Sequence, residues 1–269
     1  MQASKIPPYC EVEARFGRMM VLRGDSVIGR SLRIYGEFAG TELDAMLTLL
    51  RPGMSVVDVG ANIGVHTLAF AAAVGPSGEV TSIEPQRHCF HLLCANTVMN
   101  QHQNVNCIRA AAGDVPGSCR VPVLSPTKRQ NFGAFDLSME PEDGTLADDV
   151  PIVTIDGLNL RKCDFIKVDV EGHEVKVLRG ATETIARFRP VFYVEVHSQQ
   201  TLREAQGILG NAGYSCVLHD APFFRAKNHM GESATIFAPG AGGTALVAMP
   251  DGNMLPPTVE GRVRRPAGW

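Results

Sequence analysis

The spacing of apolar residues divides the chain into segments of different period, and each period points to a different element. Near the N-terminus, short apolar groups flank the turn pair Gly24-Asp25, which predicts a hairpin pairing residues 18–22 with 27–34. Leu43, Met46, Leu47 and Leu50 then fall at i, i+3, i+4 and i+7, one face of a helix. Thr41 with Asp44 has the form of a capping box at its start, and Arg51-Pro52-Gly53 ends it.

From residue 55 onward the signal becomes short β-branched runs separated by helical stretches. Strands are predicted over 55–59, 79–83, 105–110, 165–170, 191–196, 214–218 and 244–249, with helices over 63–74, 85–100 and 200–211, the last opened by Thr201 with Glu204. Such alternation predicts an α/β fold, a mostly parallel sheet with helices on both faces. Between 125 and 149 the chain turns polar and acidic, with Asp136, Glu140, Glu142, Asp143, Asp148 and Asp149. Plausible strands over 120–124 and 150–155 flank it, so an inserted hairpin or lid is expected there. The organisation expected is a lead-in over 1–50, one domain over 51–249 with its insertion at 120–155, and a loosely attached Pro-, Gly- and Arg-rich tail over 250–269.

Composition narrows the class. The 269 residues are 45% hydrophobic and 20% charged, enough apolar material for a sizeable core. Lys plus Arg number 25 against 28 Asp plus Glu, a formal charge of -3, which disfavours a phosphate-neutralising surface and therefore a nucleic-acid partner. Seven cysteines form no CxxC pair and fit reduced thiols. The longest apolar stretch, 68–74, is too short to cross a membrane, and Pro7, Pro8, Glu11 and Glu13 stand where a secretory signal would need an apolar run. A cytoplasmic protein with no membrane partner is expected, its oligomeric state open.

The most informative segment is Val56-Val57-Asp58-Val59-Gly60-Ala61-Asn62-Ile63-Gly64, an apolar strand running through a glycine turn into a helix. Gly60 and Gly64 would let the backbone approach a nucleotide-containing ligand, and Glu84, at the end of the next predicted strand, can accept both hydroxyl protons of a ribose. The alternative is that the glycines serve only tight strand-helix packing. A dinucleotide turn needs GxGxxG, whose second glycine admits the pyrophosphate, but Asn62 stands at that place. S-Adenosyl-L-methionine carries no phosphate, so Asn62 is tolerable and can offer its amide to the amino-acid end, with Asp58 close to the ammonium. Glu37, in Tyr35-Gly36-Glu37-Phe38, is a candidate to fold over the methionyl end, or else a surface carboxylate.

The chain also resembles the FkbM family of S-adenosylmethionine-dependent methyltransferases. The resemblance rests on Asp58 to Gly64, Ile83-Glu84-Pro85, Asn131-Phe132-Gly133, the run Phe165-Ile166-Lys167-Val168-Asp169-Val170-Glu171-Gly172-His173-Glu174, Val177-Leu178-Arg179-Gly180-Ala181 and Arg189-Pro190-Val191. It implies a class I methyltransferase sheet of about seven strands with the last antiparallel. It also implies methyl transfer, commonly to a hydroxyl on a small natural product, sugar or lipid-like acceptor. Ala134, where a second glycine is common, and the long connection over 221–243 depart from the family pattern.

Asp169, Glu171, Glu174, Glu195 and His197 would gather at the carboxyl ends of two predicted strands, the edge where open α/β sheets bind ligands. Asp169 or His197 is the candidate to take a proton from an acceptor hydroxyl, with Glu171 and Glu195 orienting. Each has a plainer alternative: Glu171 and Glu174 as helix-start carboxylates, His197 as a solvated strand end. No CxxC or HxxxH spacing marks a metal site, so no metal ligand is assigned, although Asp169, Glu195 and His197 are also a possible cation set. Cys89 and Cys94 read as core. The rival functions are a nucleotide-dependent oxidoreductase and a non-catalytic module that keeps only the cofactor fold.

Overall fold

Burial on both faces explains why the central strands are mostly apolar, as in parallel sheets covered by helices on either side, with Asp58, Thr81, Ser82 and Lys167 as buried polar exceptions. The computed structural model describes residues 7–134, 141–142, 144–252 and 262–264. In chain order they form β1 (Tyr9–Ala14), β2 (Gly17–Leu22), α1 (Ile28–Tyr35), α2 (Gly40–Leu49), β3 (Ser55–Val59), α3 (Val65–Val74), β4 (Glu79–Ile83), α4 (Arg87–Met99) and β5 (Val105–Ile108). There follow β6 (Ala111–Ala112), β7 (Gly117–Pro122), β8 (Ala147–Val153), β9 (Phe165–Val168), α5 (Glu174–Arg179), α6 (Thr182–Phe188), β10 (Val191–Glu195), α7 (Gln199–Asn211), β11 (Tyr214–Pro222), β12 (Gly242–Pro250) and β13 (Arg262–Arg264).

The main sheet has the order β13-β11-β12-β10-β9-β3-β4-β5. Strands β3, β4, β5, β9 and β10 pair in parallel, and β12 inserts antiparallel between β10 and β11. All five residues of β3 are buried. Neighbouring residues send their side chains to opposite faces, so Val57, Ile166 and Phe192 pack with Leu178, Leu202 and Leu209 of α5 and α7. Val56, Phe165 and Tyr193 pack on the other face with Met46 of α2 and Phe70 of α3. The chain leaves β3 toward β4 and β5, then returns to β9 on its other side. That reversal makes the carboxyl ends of β3 and β9 the crevice where a ligand is expected.

Several local expectations change. Residues 27–34 are not a strand: Ile28, Leu32 and Tyr35 are buried at helical spacing in α1, and β2 pairs with β1 instead. The Gly24-Asp25 pair starts a helix rather than turning a hairpin, because the Asp25 carboxylate accepts the Val27 and Gly29 N–H groups at 2.9 Å each. Thr41 and Asp44 form no capping box. α2 begins behind Ala39 in the left-handed region, and Asp44 binds Arg15 and Arg225. Ser198 caps α7 in place of Thr201, whose N–H it accepts at 3.0 Å.

The insertion is a small three-stranded sheet in which β8 lies between β7 and β6, its Asp148 bound by Arg87 and Arg109. Asp136, Glu140 and Asp143, named with it, lie outside the described residues. Part of the tail is structured: β13 adds an eighth strand at the edge beside β11, and Arg264 Nε donates to Asp220 Oδ2 at 2.7 Å. The remaining tail residues, 253–261 and 265–269, are outside the described set.

Two glycines give opposite expectations for the same substitution. Gly60 has φ +79°, and a Cβ there would sit 1.8 Å from the Asp169 carbonyl oxygen. Gly207, in α7, meets nothing within 4 Å. Gly60→Ala should therefore destabilise by at least about 2 kcal/mol, combining left-handed strain of roughly 1–2 kcal/mol with overpacking. Gly207→Ala should stabilise by about 0.5–1 kcal/mol. Urea unfolding of both variants measures the contrast, and equal stabilities would refute the close approach of the β3 turn to Asp169.

Candidate active site

The turn after β3 is shaped by the protein's own backbone. Gly60 and Ala61 donate their N–H groups to Ile83 O at 3.0 Å each, which folds the turn back over β4. Gly64, φ +92°, caps α3, and a Cβ there would come within 2.9 Å of Leu93 Cδ1. Both glycines thus answer the packing alternative raised by the sequence. Gly60 and Asn62 nevertheless line the cavity above the turn, and Gly64 does not.

That cavity has a volume of about 270 Å³ and crosses the sheet from the ends of β4 and β5 to those of β9 and β10. At the β4 side stands Glu84, which is buried. Its Oε2 accepts the Asn62 N–H and its Oε1 the Gln86 N–H, both at 2.8 Å. Burial outweighs these bonds and pushes the carboxyl up to about 7. Gln86 Nε2 donates to Phe132 O at 2.6 Å, so the Asn131-Phe132-Gly133 segment is tied to the same wall.

Lys167, 1% exposed, anchors the centre. Its Nζ lies 3.2 Å from Asp58 Oδ1 and 3.3 Å from Asp169 Oδ2, and donates to Gly60 O at 3.1 Å. Asp58 also accepts from Thr67 Oγ1 at 2.6 Å. Asp58 is fully buried beneath the turn and takes no part in the cavity lining. Burial by itself would raise the Asp169 carboxyl, but the neighbouring Lys167 holds it below the usual range. Glu195 moves the other way: burial, then the charge of Asp169 to which it is hydrogen-bonded, push it far up, so Glu195 is the protonated partner.

Two further titratable groups complete this end. Glu42 of α2 is pushed up to about 7 by burial and then by Asp169. His66 of α3 is pushed down to about 4 by burial and then by Lys167, so its imidazole is neutral, and its buried Nε2 has no hydrogen-bond partner. Phe38 stacks on Phe223 with ring centroids 5.5 Å apart, and Phe237 lies 5.6 Å from Phe223; all three line the cavity. The long 221–243 connection thus supplies an aromatic wall.

Asp169, Glu171 and Glu195 face the same cavity as Gly60, Asn62 and Glu84. His197 is exposed outside the lining, its Nε2 3.7 Å from Glu171 Oε2 and 3.8 Å from Glu174 Oε1. Glu171 sits in the left-handed region at φ +41°. Glu174 is buried at the start of α5, where its Oε1 accepts the Gly172 N–H at 3.0 Å. Asp169, Glu195 and His197 offer one ligand atom each within 4.8 Å of one another, a spacing able to hold a divalent cation. Glu37 is placed differently from its sequence reading. Its carboxylate binds Arg225 through both oxygens, at 2.6 and 2.7 Å, away from the cavity lining.

Sequence reasoning passed over Glu42, His66 and the aromatic wall, and gave Lys167 no role. The available signal was polarity on apolar surfaces: Glu42 beside Leu43, His66 next to Val65, and a lysine inside an otherwise apolar strand.

Comparison with known proteins adds the family. Residues 58–216 match the family model described as the Methyltransferase FkbM domain. The hexuronic acid methyltransferase AglP of Haloferax volcanii is 28% identical over 170 residues, 59% of this chain and 62% of that protein, so the chain spans less than two thirds of this relative's length. Among solved structures, the methyltransferase FkbM from Methylobacillus flagellatus KT is similar at a TM-score of 0.48 and 19% identity, over 74% of this chain and 48% of that one. Trm5b from Pyrococcus abyssi reaches a TM-score of 0.50 at 12% identity, over 92% of this chain and 57% of that one, a likeness of fold. Because the family match runs from Asp58 beneath the crevice to Cys216 in β11, more than half of the chain, this protein belongs to the FkbM methyltransferase family.

Proposed function

We propose that this protein transfers a methyl group from S-adenosylmethionine to a hydroxyl on a small, sugar-like acceptor. The observation that carries this reading is the charge of the cavity. Acidic Glu42, Glu84, Asp169 and Glu171 line it together with the protonated Glu195, and among the described residues no lysine or arginine does. A cationic sulfonium suits such a lining, whereas the pyrophosphate of a dinucleotide would meet repulsion, which disfavours the oxidoreductase alternative. Apolar Val59, Ile83, Pro85, Ala110 and Ala112 suit the nucleoside, and Glu84, its carboxylate aligned by two backbone N–H groups, suits the ribose hydroxyls. The name of the Haloferax volcanii relative supports a sugar-like acceptor.

S-Adenosylmethionine supplies a methyl carbon already activated by its sulfonium. The chain's task is then to align and desolvate. Holding the reactants in line supplies roughly 7–11 kcal/mol, and a general base roughly 3–5 kcal/mol. Asp169, charged and hydrogen-bonded to a protonated Glu195, is the proposed proton acceptor for the hydroxyl. Glu171 and Glu195 orient it, and the Phe38, Phe223 and Phe237 wall excludes water.

Glu84 makes cofactor binding depend on pH. Its carboxyl titrates near 7 in the free protein, and only the charged form accepts both ribose hydroxyls, so affinity for S-adenosylhomocysteine should rise as pH passes upward through about 7. Glu84→Gln should weaken binding by about 1.5–3 kcal/mol and flatten that profile. Calorimetry from pH 6 to 8 tests both, and an unchanged profile in the variant would assign the ribose elsewhere.

Asp169→Asn keeps shape while removing the charge. With labelled S-adenosylmethionine and a panel of sugar acceptors, turnover should drop about 10²-fold or more with little change in cofactor affinity. Sensitivity of the wild type to EDTA, reversed by a divalent cation, would transfer Asp169, Glu195 and His197 to a metal role. Near wild-type turnover in Asp169→Asn would make the cluster structural.

A further inference from the structure

Beside the acidic cavity lies a second one of opposite charge. About 360 Å³ in volume, it is lined by Arg23, Arg30, Arg33 and Arg129 together with Asp25 and Ser26. In a chain of net charge -3, four arginines lining one depression make a concentrated positive site. Asp25 does little to neutralise it. Its two carboxylate oxygens are engaged by the Val27 and Gly29 N–H groups, and burial pushes its carboxyl up. Arg33 is braced by bonds to Gly29 O and Arg23 O, 3.2 Å each. Among the described residues, the side chains of Arg23, Arg30 and Arg129 make no ion pair.

The two cavities share a wall. Asp25 and Gln130 form a β-bridge, with Ser26 N–H donating to Gln130 O at 2.9 Å and Gln130 N–H to Gly24 O at 3.0 Å. On one side of this seam stand the arginines. The next residues along both segments, Val27 and Ile28 on one and Asn131 and Gly133 on the other, line the acidic cavity. A ligand lying across the seam would place a neutral part inside and an anionic part outside.

We propose that the arginine cavity binds a phosphoryl group, the one carried by the acceptor whose hydroxyl enters the acidic cavity. A single carboxylate is satisfied by one bidentate guanidinium, whereas several convergent guanidiniums match the multiple oxygens and higher charge of a phosphate or diphosphate. The arrangement also resolves an electrostatic conflict. An anionic acceptor entering the acidic cavity directly would be repelled, but one held by its phosphoryl group at the rim presents only its hydroxyl-bearing ring to the carboxylates. This placement of the acceptor rests on the methyl-transfer reading above; anion binding itself does not.

The test uses the full chain without cofactor and inorganic pyrophosphate as the probe, followed by calorimetry at constant ionic strength. Pyrophosphate should bind, and the double variant R23Q/R129Q, altered at two exposed positions, should weaken it about tenfold or more. R161Q/R203Q, at exposed arginines elsewhere, changes net charge equally and should bind as the wild type does. Competition by uridine diphosphate, and separately sedimentation with phosphatidate vesicles, identifies a soluble or a lipid carrier; loss of either in R23Q/R129Q supports the site. Pyrophosphate affinity that is equal in R23Q/R129Q and wild type, or displacement of pyrophosphate by equimolar glucuronate, overturns it. S-Adenosylhomocysteine binding measured on the same variants separates the two readings, because loss of pyrophosphate alone leaves the methyltransferase proposal intact.

Discussion

A single buried lysine sets the conditions for the rest of this site. Lys167 reaches from β9 to Asp58 on β3, to Asp169 at its own strand end and to the Gly60 carbonyl. It thereby clamps the two strands on either side of the reversal in sheet order. Such a charge is tolerated in the interior because two carboxylates and a carbonyl oxygen surround it within 3.3 Å, and removing Lys167 would leave the buried Asp58 without its cation, a loss of about 3–5 kcal/mol. The same clamp brings the Gly60 turn so close to Asp169 that no side chain fits between them.

Lys167 also apportions charge among the surrounding acids. Asp58 and Asp169 take its compensation, and the more distant carboxyls receive too little to offset burial. Glu42 and Glu84 therefore rise to about 7, and Glu195 rises far enough to stay protonated beside Asp169. One cation and several acids produce a cavity negative enough to favour a sulfonium, with individual groups still neutral enough to be buried. The arginines that would balance this charge lie across the 24–26 and 130 seam, so charge is segregated by wall.

Legibility of the fold in the sequence followed how local each determinant was. Strands β3 and β4 match the pattern to the residue, because each is a short β-branched run, Val56-Val57 with Val59 and Val80 with Ile83, bounded by turns on both sides. Helix α1 was misread as a strand because a short apolar segment serves either period. Ile28 and Leu32 become part of a buried helical face only once β1 and β2 lie beneath it. The capping readings at α2 and α7 differ from the structure for a related reason: at α7 backbone geometry selects Ser198 over Thr201, and at α2 it puts Ala39, which has no capping group, at the N-cap.

For the site, the sequence by itself determined which chemical groups exist and on which strand ends they sit. The turn after Asp58, Glu84 and the Lys167-to-Glu174 run depend on residue identity and a strand register that local pattern specifies. Tertiary structure alone decided which of those groups meet. It buried Asp58 under the turn, left His197 outside the lining and committed Glu37 to Arg225. It also brought Glu42, His66, Phe223 and Phe237 to the cavity. The reason is physical: a side chain's protonation, exposure and partner are set by atoms far away in the chain, and these become neighbours only when the sheet order, with its reversal at β3, is complete.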